Sequence, residues 1–183
     1  MRALVVYESM YGNTHLIANA IAEGLRTHAE TVVVPVGEAD ASLVERSDLV
    51  VVGGPTHAHG MSRDSTRQGA AAAAAKPGSE LALDPEAAGS GLREWFASVG
   101  RFATRAAAFD TRVDLPVALT GRASKGIARK LRRHGATLIS EPESFLVTKD
   151  SHLEPNEEAR ARDWGAGLGS SLDRIAQHRA SPG

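Results

Sequence analysis

Residues 4–21 read LVVYESMYGNTHLIANAI, and this stretch decides the fold. Its first four residues form an uninterrupted apolar run, which predicts a strand buried on both faces. Residues 13–21 place apolar side chains at helical spacing, and the polar loop Ser9–Thr14 joins the strand to the helix. A strand that runs through a short loop into a helix is the repeating unit of an open parallel sheet. Such sheets bind ligands at the carboxyl ends of their strands, where this loop lies.

The chemistry of the loop favours a phosphate group held by neutral donors. The loop carries the hydroxyls of Ser9 and Thr14 and the amide of Asn13, but no lysine or arginine. A hydrogen bond to a charged acceptor contributes about 1.5–3 kcal/mol, and a helix N-terminus adds about 0.3–2 kcal/mol, so a cation is not required. Gly12 permits close approach of the backbone. The alternative interpretation is an N-cap turn in which Asn13 or Thr14 caps the helix.

The rest of the chain repeats the alternation of strand and helix. This pattern predicts a three-layer, doubly wound α/β fold with a five-stranded parallel sheet, formed by a single domain over residues 1–183. The predicted strands are Ala3–Tyr7, Thr31–Val36, Leu49–Val52, Arg105–Val113 and a fifth in two parts, Ala136–Ser140 and Ser144–Thr148. The third is expected to stop at Gly53, and the fourth to be broken at Asp110. The predicted helices begin at Asn13 and near Pro155 and span Asp40–Arg46, Gly91–Val99 and Ser124–Arg133.

Residues 62–91 do not fit the alternation. They contain six consecutive alanines, Ala70–Ala75, followed by several Gly, Pro, Ser and Asp residues. A segment of this length without a clear period is unusual inside a compact domain. We interpret it as an insertion or lid, or as an Ala-rich helix within a loop.

Composition narrows the classes of function. The net charge is −1, which gives no indication of a nucleic-acid or membrane partner. The absence of cysteine excludes disulfides, thiolate catalysis and cysteine-ligated iron–sulfur clusters. Because the chain shows neither a signal-peptide pattern after Met1 nor an apolar run long enough to span a bilayer, we expect a cytoplasmic protein.

Residues 5–21 resemble the signature of a known protein family. The loop lacks the Gly-Lys-Ser/Thr of a Walker A motif and the spaced glycines of a dinucleotide-binding turn. The pattern Val5-Val6-Tyr7-x-Ser9-x-x-Gly12-x-Thr14-x-x-x-Ala18-x-x-Ile21 resembles the flavodoxin signature at every defined position. The resemblance implies strand order 2-1-3-4-5 and FMN as the cofactor. It also implies that the FMN phosphate is held by the loop, that is by Ser9, Met10, Tyr11, Gly12, Asn13 and Thr14.

The same resemblance assigns two further loops to the flavin ring. The loop after the third strand supplies Pro55, Thr56, His57, Ala58, His59 and Gly60. It offers histidines where many flavodoxins place Trp or Tyr. A metal site at the two histidines is an alternative, without an evident third ligand. The loop after the fourth strand supplies Phe109, Asp110, Thr111 and Arg112. Phe109 either faces the ring or belongs to the core, and Arg112 reaches the flavin pyrimidine edge or pairs with Asp110.

The stretch Arg122–Arg133 places six positive charges in twelve residues. It is either a solvated helix face or a docking surface for an acidic partner protein. The resemblance thus implies an FMN-binding electron-transfer protein that serves redox partner proteins. One alternative is an FMN-dependent NAD(P)H:quinone-type oxidoreductase, and another is an interaction domain that has lost FMN.

Overall fold

The computed structural model describes the backbone of residues 1–57 and 59–180. Its strands are β1 Arg2–Tyr7, β2 Glu30–Pro35, β3 Leu49–His57, β4 Gly60–Met61, β5 Arg105–Val113, β6 Thr137–Leu138 and β7 Glu143–Val147. Its α-helices are α1 Asn13–Leu25, α2 Ala41–Glu45, α3 Asp64–Ala74, α4 Leu92–Ser98, α5 Val117–Thr120, α6 Ala123–Arg133 and α7 Glu157–Ala180. A single 3₁₀ turn, Val36–Glu38, follows β2.

The sheet has the predicted architecture. Its strands run in the order β2-β1-β3-β5, and β6 and β7 both pair with the far side of β5. All these pairs are parallel, whereas the short strand β4 pairs with β3 in the antiparallel direction. Because β6 and β7 are two parts of one fifth strand, the order is 2-1-3-4-5. The predicted strand order and the predicted division of the fifth strand into two parts are both confirmed.

Two predicted strand boundaries are wrong. Strand β3 does not stop at Gly53 but continues to His57, and β5 is not broken at Asp110 but runs to Val113. The two strands stay paired over this extension, with Gly53 opposite Phe109. Gly53 makes this pairing feasible, because a Cβ there would lie 2.1 Å from Cζ of Phe109. Gly53, where the strand was expected to stop, instead provides space for the Phe109 ring.

Helices cover both faces of the sheet and form two cores. On one face, α1 and α7 pack over β1, β3 and β5, around a buried cluster that includes Ile17, Phe109 and Leu172. On the other face, α4 and α6 enclose a cluster that includes Trp95 and Ile127. Every strand of the sheet centre is therefore buried on both sides, as its continuous apolar sequence predicts.

The segment 62–91 forms α3 and then continues through turns without further helix or strand. The Ala-rich helix that the sequence offered as one interpretation is present, with Ala70 buried. Buried Glu8 anchors the two ends of the segment, because its carboxylate accepts hydrogen bonds from the Ser62 hydroxyl and from the backbone N–H of Leu92. Within the described residues, no helix has both the length and the apolar character needed to cross a membrane.

Candidate functional site

A pocket of about 160 Å³ lies at the carboxyl ends of β1, β3, β5 and β7. The loop after β1 lines it, together with the last residues of the three other strands and the turn after β7. The lining residues are Met10, Tyr11, Asn13, Thr14, Pro55, Thr56, His57, Thr111, Arg112, Val113, Val147 and Ser151. The fold thus brings together residues up to 141 positions apart at the edge where open α/β sheets bind ligands.

A larger groove of about 690 Å³ lies at the opposite end of the sheet, before β3, β5 and β6. It is lined by both acidic and basic residues, among them Asp48 and Arg105. Volume alone does not identify a site. The groove is at the amino ends of the strands, away from every loop that the sequence singled out.

The N-terminus of α1 opens beside the pocket without a side-chain cap. Its N-cap residue is Gly12, in the left-handed region at φ +86°, and no described side chain accepts a hydrogen bond from the first turn. The N-cap alternative, with Asn13 or Thr14 as the cap, is therefore not what the chain adopts. A Cβ at Gly12 would meet no atom within 4 Å, so there is open space next to the first turn of the helix.

The polar side chains of the loop are held in place by other strands. Thr14 is 2% exposed, and its hydroxyl lies 2.8 Å from that of Thr111 on β5. The Asn13 amide donates to the Ser151 carbonyl at 2.7 Å. Ser9 accepts from the Gly12 N–H at 3.1 Å. These contacts fix the loop as a cradle of donors around the helix N-terminus, and this geometry fits a phosphate.

Two buried nitrogen atoms of the pocket residues have no hydrogen-bond partner among the described residues. They are Nε2 of His57 and Nε of Arg112. Burial lowers the pKa of His57, an effect that the charge of Glu8 partly opposes, so the imidazole is neutral at pH 7. Arg112 uses its Nη1 to donate to the carbonyls of Val113 and Leu115, at 3.2 and 2.8 Å. Buried polar atoms are rarely left unpaired, so these two nitrogens are candidates for contact with a ligand.

Two of the four residues predicted after the fourth strand, Phe109 and Asp110, lie outside this pocket. Phe109 is fully buried in the core against Phe145 and Trp164, with ring centroids 6.2 and 6.4 Å away, so the core alternative is the correct one for this side chain. Asp110 is also fully buried. Its Oδ2 accepts from the Thr56 hydroxyl at 3.0 Å and from the Ser124 N–H at 2.8 Å. Asp110 therefore joins β3 to the first turn of α6 and is not the partner of Arg112.

The remaining predicted residues of the β3 loop are near the pocket but do not all line it. His59 is exposed, has φ +68°, and its backbone pairs with Gly121. Gly60 pairs with His57 across the turn. Ala58 falls outside the described residues. Pro55, Thr56 and His57 are the part of this loop that lines the pocket.

Sequence reasoning missed two contributions to the site. The first is Ser151, which follows the fifth strand and accepts from Asn13. The rule that loops after parallel strands converge could have found it. The second is the segment 62–91, which packs directly on the loop Ser9–Thr14, which we name the phosphate loop. The Tyr11 hydroxyl donates to the Ala70 carbonyl at 3.1 Å, and the Asp84 N–H donates to the Met10 carbonyl at 2.8 Å.

Comparison with known proteins identifies the family. The sequence model of the flavodoxin family matches residues 5–95, which run from within β1 through the loop Ser9–Thr14 and β3 into the first half of α4. The chain belongs to the flavodoxin family. Flavodoxins bind FMN and transfer electrons, and this flavodoxin is accordingly an FMN-binding electron-transfer protein. No curated protein matches the chain.

Solved structures with the same fold include several flavodoxins. A flavodoxin from the domain Archaea is 18% identical, with a TM-score of 0.65, and the match covers 94% of this chain and 99% of that one. Flavodoxin 1 from Bacillus cereus is 18% identical, with a TM-score of 0.62 and coverage of 95% and 98%. Two-electron reduced flavodoxin from Megasphaera elsdenii is 15% identical, with a TM-score of 0.58 and coverage of 92% and 98%. At these identities the likeness concerns the fold.

Proposed function

We propose that FMN binds in the pocket at the carboxyl ends of β1, β3, β5 and β7, and that the protein carries electrons between redox partner proteins. The observation that carries this proposal is the convergence of the uncapped α1 N-terminus with two unpaired buried nitrogens, those of His57 and Arg112. A helix N-terminus suits a phosphate. Unpaired donors next to it suit the polar edge of a ring.

The phosphate loop holds one end of the cofactor in this proposal. The first-turn amides of α1 and the side chains of Ser9, Asn13 and Thr14 provide the donors. The cofactor, once bound, supplies the redox chemistry, while the protein orients it and sets the electrostatics. His57 and Arg112 lie beyond the loop and contact the ring, His57 as a neutral imidazole and Arg112 as a cation.

The size of the pocket favours a carrier over an enzyme. Enclosed small-molecule sites usually measure about 300–1,000 Å³, whereas this pocket is about 160 Å³. Part of the flavin therefore lies at the protein surface, where a partner protein can exchange electrons with it.

Flavin absorbance of the purified protein tests the proposal. We expect the protein to carry the visible bands of a bound flavin, or to gain them and quench FMN fluorescence when FMN is added. A colourless protein that does not bind added FMN would contradict the proposal and favour an interaction domain that has lost the cofactor.

A flavin-dependent oxidoreductase is the second candidate, and the observation in its favour is the contact between residues 62–91 and the phosphate loop. Such a segment can shape a substrate site. Mixing the FMN-loaded protein with NADPH and a quinone separates the two functions. Rapid turnover without a partner protein would favour the enzyme.

The exposed basic face of α6 is proposed as the docking surface for the partner. Lys125, Arg129, Arg132 and Arg133 are exposed, and none forms an ion pair with a described residue. Arg122 is excluded from this surface, since its guanidinium donates to the Ser144 hydroxyl and the Pro142 carbonyl. The helix starts at the pocket wall, where the Ala123 N–H donates to the Thr56 hydroxyl at 2.8 Å. Its charges favour an acidic partner.

Replacing Arg112 with glutamine is expected to lower the reduction potential of the bound flavin by about 30–60 mV. Arg112 is the one charged side chain among the described pocket residues, and a cation favours the anionic reduced flavin. A hydrogen bond with a charged group contributes about 1.5–3 kcal/mol, and 1.4 kcal/mol corresponds to about 30 mV for a two-electron couple. The same reasoning predicts a potential less negative than that of typical flavodoxins. Spectroelectrochemical titration measures both.

Two controls accompany this measurement. Arg112→Lys keeps the positive charge, so the reduction potential of its flavin is expected to stay close to that of the wild type. Arg105→Gln removes a charge at the opposite end of β5 and is expected to leave the potential unchanged. Equal potentials for the wild type and Arg112→Gln would show that Arg112 does not act on the flavin.

A further inference from the structure

Residues 115–119, which we name the apolar rim, form a cluster of exposed hydrophobic side chains. Leu115, Val117 and Leu119 are 38%, 42% and 65% exposed. They account for three of the seven large hydrophobic side chains that are exposed in the described part of the chain. Pro116 and Ala118 between them are exposed as well. Scattered apolar residues at a surface need no explanation, but a contiguous group of them marks an interaction site.

The apolar rim is attached to the walls of the pocket. On its N-terminal side, Arg112 donates to the Leu115 carbonyl at 2.8 Å, and the Asp114 N–H donates to the Val147 carbonyl at 3.0 Å. On its C-terminal side, Gly121 pairs with His59. A Cβ at Gly121 would lie 2.3 Å from the His59 carbonyl oxygen, so this contact is close. The rim is therefore held at the edge of the pocket by residues on both sides of it.

The chain after the rim carries charges of one sign over a long stretch, which the exposed acidic residues Asp114 and Glu141 border. Residues 115–140 contain six Lys and Arg residues and no Asp or Glu. The exposed Lys125 lies in the first turn of α6, whose N-terminus contacts the pocket wall through the Thr56 hydroxyl. An apolar patch beside a one-sign charged face is the arrangement in which electrostatics steers the encounter and apolar contact holds it.

We infer that the apolar rim is the contact surface for an acidic redox protein whose own redox centre is bordered by an apolar patch. This inference rests on the proposed function, because the rim borders the proposed flavin site. The basic face of α6 orients the partner, and Leu115, Val117 and Leu119 pack against it. In each encounter one electron passes between the partner's centre and the flavin, so that one is oxidised and the other reduced by one electron.

Electron transfer from a reduced, acidic plant-type [2Fe–2S] ferredoxin to the FMN-loaded protein tests the inference. Such ferredoxins are strong one-electron reductants, so they can donate the electron. Stopped-flow absorbance gives the second-order rate constant over a range of salt concentrations. We expect the wild-type rate to fall as salt rises, because opposite charges attract less strongly when screened. We expect Leu119→Ser to lower the rate at least about fivefold, as for an interface residue that contributes more than 1 kcal/mol.

Control variants show whether a change in the electron-transfer rate is specific to the apolar rim. Val32→Ser replaces an exposed apolar side chain, 45% exposed, on β2 at the other edge of the sheet, and is expected to leave the rate unchanged. Lys125→Glu is expected to slow the reaction and to weaken its salt dependence. Dithionite, a small reductant that needs no docking surface, is expected to reduce wild type and Leu119→Ser at the same rate.

The outcomes distinguish the inference from the proposed function. An FMN-loaded Leu119→Ser variant with the wild-type rate would overturn the apolar rim as the contact surface. A wild-type rate that rises with salt would overturn the acidic partner. A protein that binds no FMN would overturn the proposed function and, with it, this inference.

Discussion

Thr14→Ala is expected to weaken FMN binding at least about tenfold. The Thr14 hydroxyl is buried at the N-terminus of α1 and lies 2.8 Å from the Thr111 hydroxyl. Its removal takes away one of the proposed donors to the phosphate and leaves Thr111 without this partner. A hydrogen bond to a charged acceptor contributes about 1.5–3 kcal/mol, and 1.4 kcal/mol is a factor of ten in Kd. Fluorescence titration with FMN measures the change.

Asn13→Ala is expected to have an effect of the same size and completes this test of the loop. The Asn13 amide positions the turn after β7 through Ser151, so its loss affects both the donor set and the pocket wall. Asn19→Ala provides a matched control, because Asn19 lies on the same helix and is exposed. Unchanged FMN affinity in both Asn13→Ala and Thr14→Ala would show that the loop does not hold the phosphate.

Gly53→Ala is expected to lower the free energy of unfolding by about 1–3 kcal/mol, the usual cost of overpacking a core. A Cβ at Gly53 would lie 2.1–2.3 Å from three atoms of the Phe109 ring. The ring cannot move freely, since it packs against Phe145 and Trp164. The new methyl group must therefore shift β3 relative to β5. Urea denaturation measures the loss.

Two variants show whether the clash with the Phe109 ring causes the loss of stability. Gly37→Ala places a methyl group where no atom lies within 4 Å and is expected to leave stability nearly unchanged. Combining Gly53→Ala with Phe109→Leu removes the clash, so the double variant is expected to be more stable than the sum of the two single losses implies. If the stability losses of Gly53→Ala and Phe109→Leu simply add up in the double variant, the proposed clash is contradicted.

The fold was largely predictable because its signals are local. Apolar runs, helical spacing and the loop Ser9–Thr14 each depend on neighbouring residues, and they gave the strand order once the family was recognised. The division of the fifth strand was also visible, because Glu141-Pro142-Glu143 interrupts an apolar stretch. The C-terminal ends of β3 and β5 were not predictable from the sequence. A glycine can mark either the end of a strand or a close approach of two strands.

The site was only partly predictable because its contacts are long-range. Phe109 and Asp110 are neighbours on a strand buried on both faces, so no polar alternation shows which side chain faces a ligand. The partners of Asp110 are 54 and 14 positions away. The docking of residues 62–91 on the phosphate loop depends on Tyr11 and Asp84, which belong to no periodic pattern.

The buried carboxylate of Asp110 has a consequence for the speed of electron exchange. Through Thr56 and Ser124 it ties a strand of the cofactor wall to the first turn of the helix that bears the exposed cations. With FMN in the pocket and the partner on α6, as proposed, the distance between them would be set in the folded protein before any encounter. A preorganised surface loses little entropy on association. Little of the protein would then have to rearrange when the charge on the flavin changes, so these hydrogen bonds of Asp110 favour a low reorganisation energy.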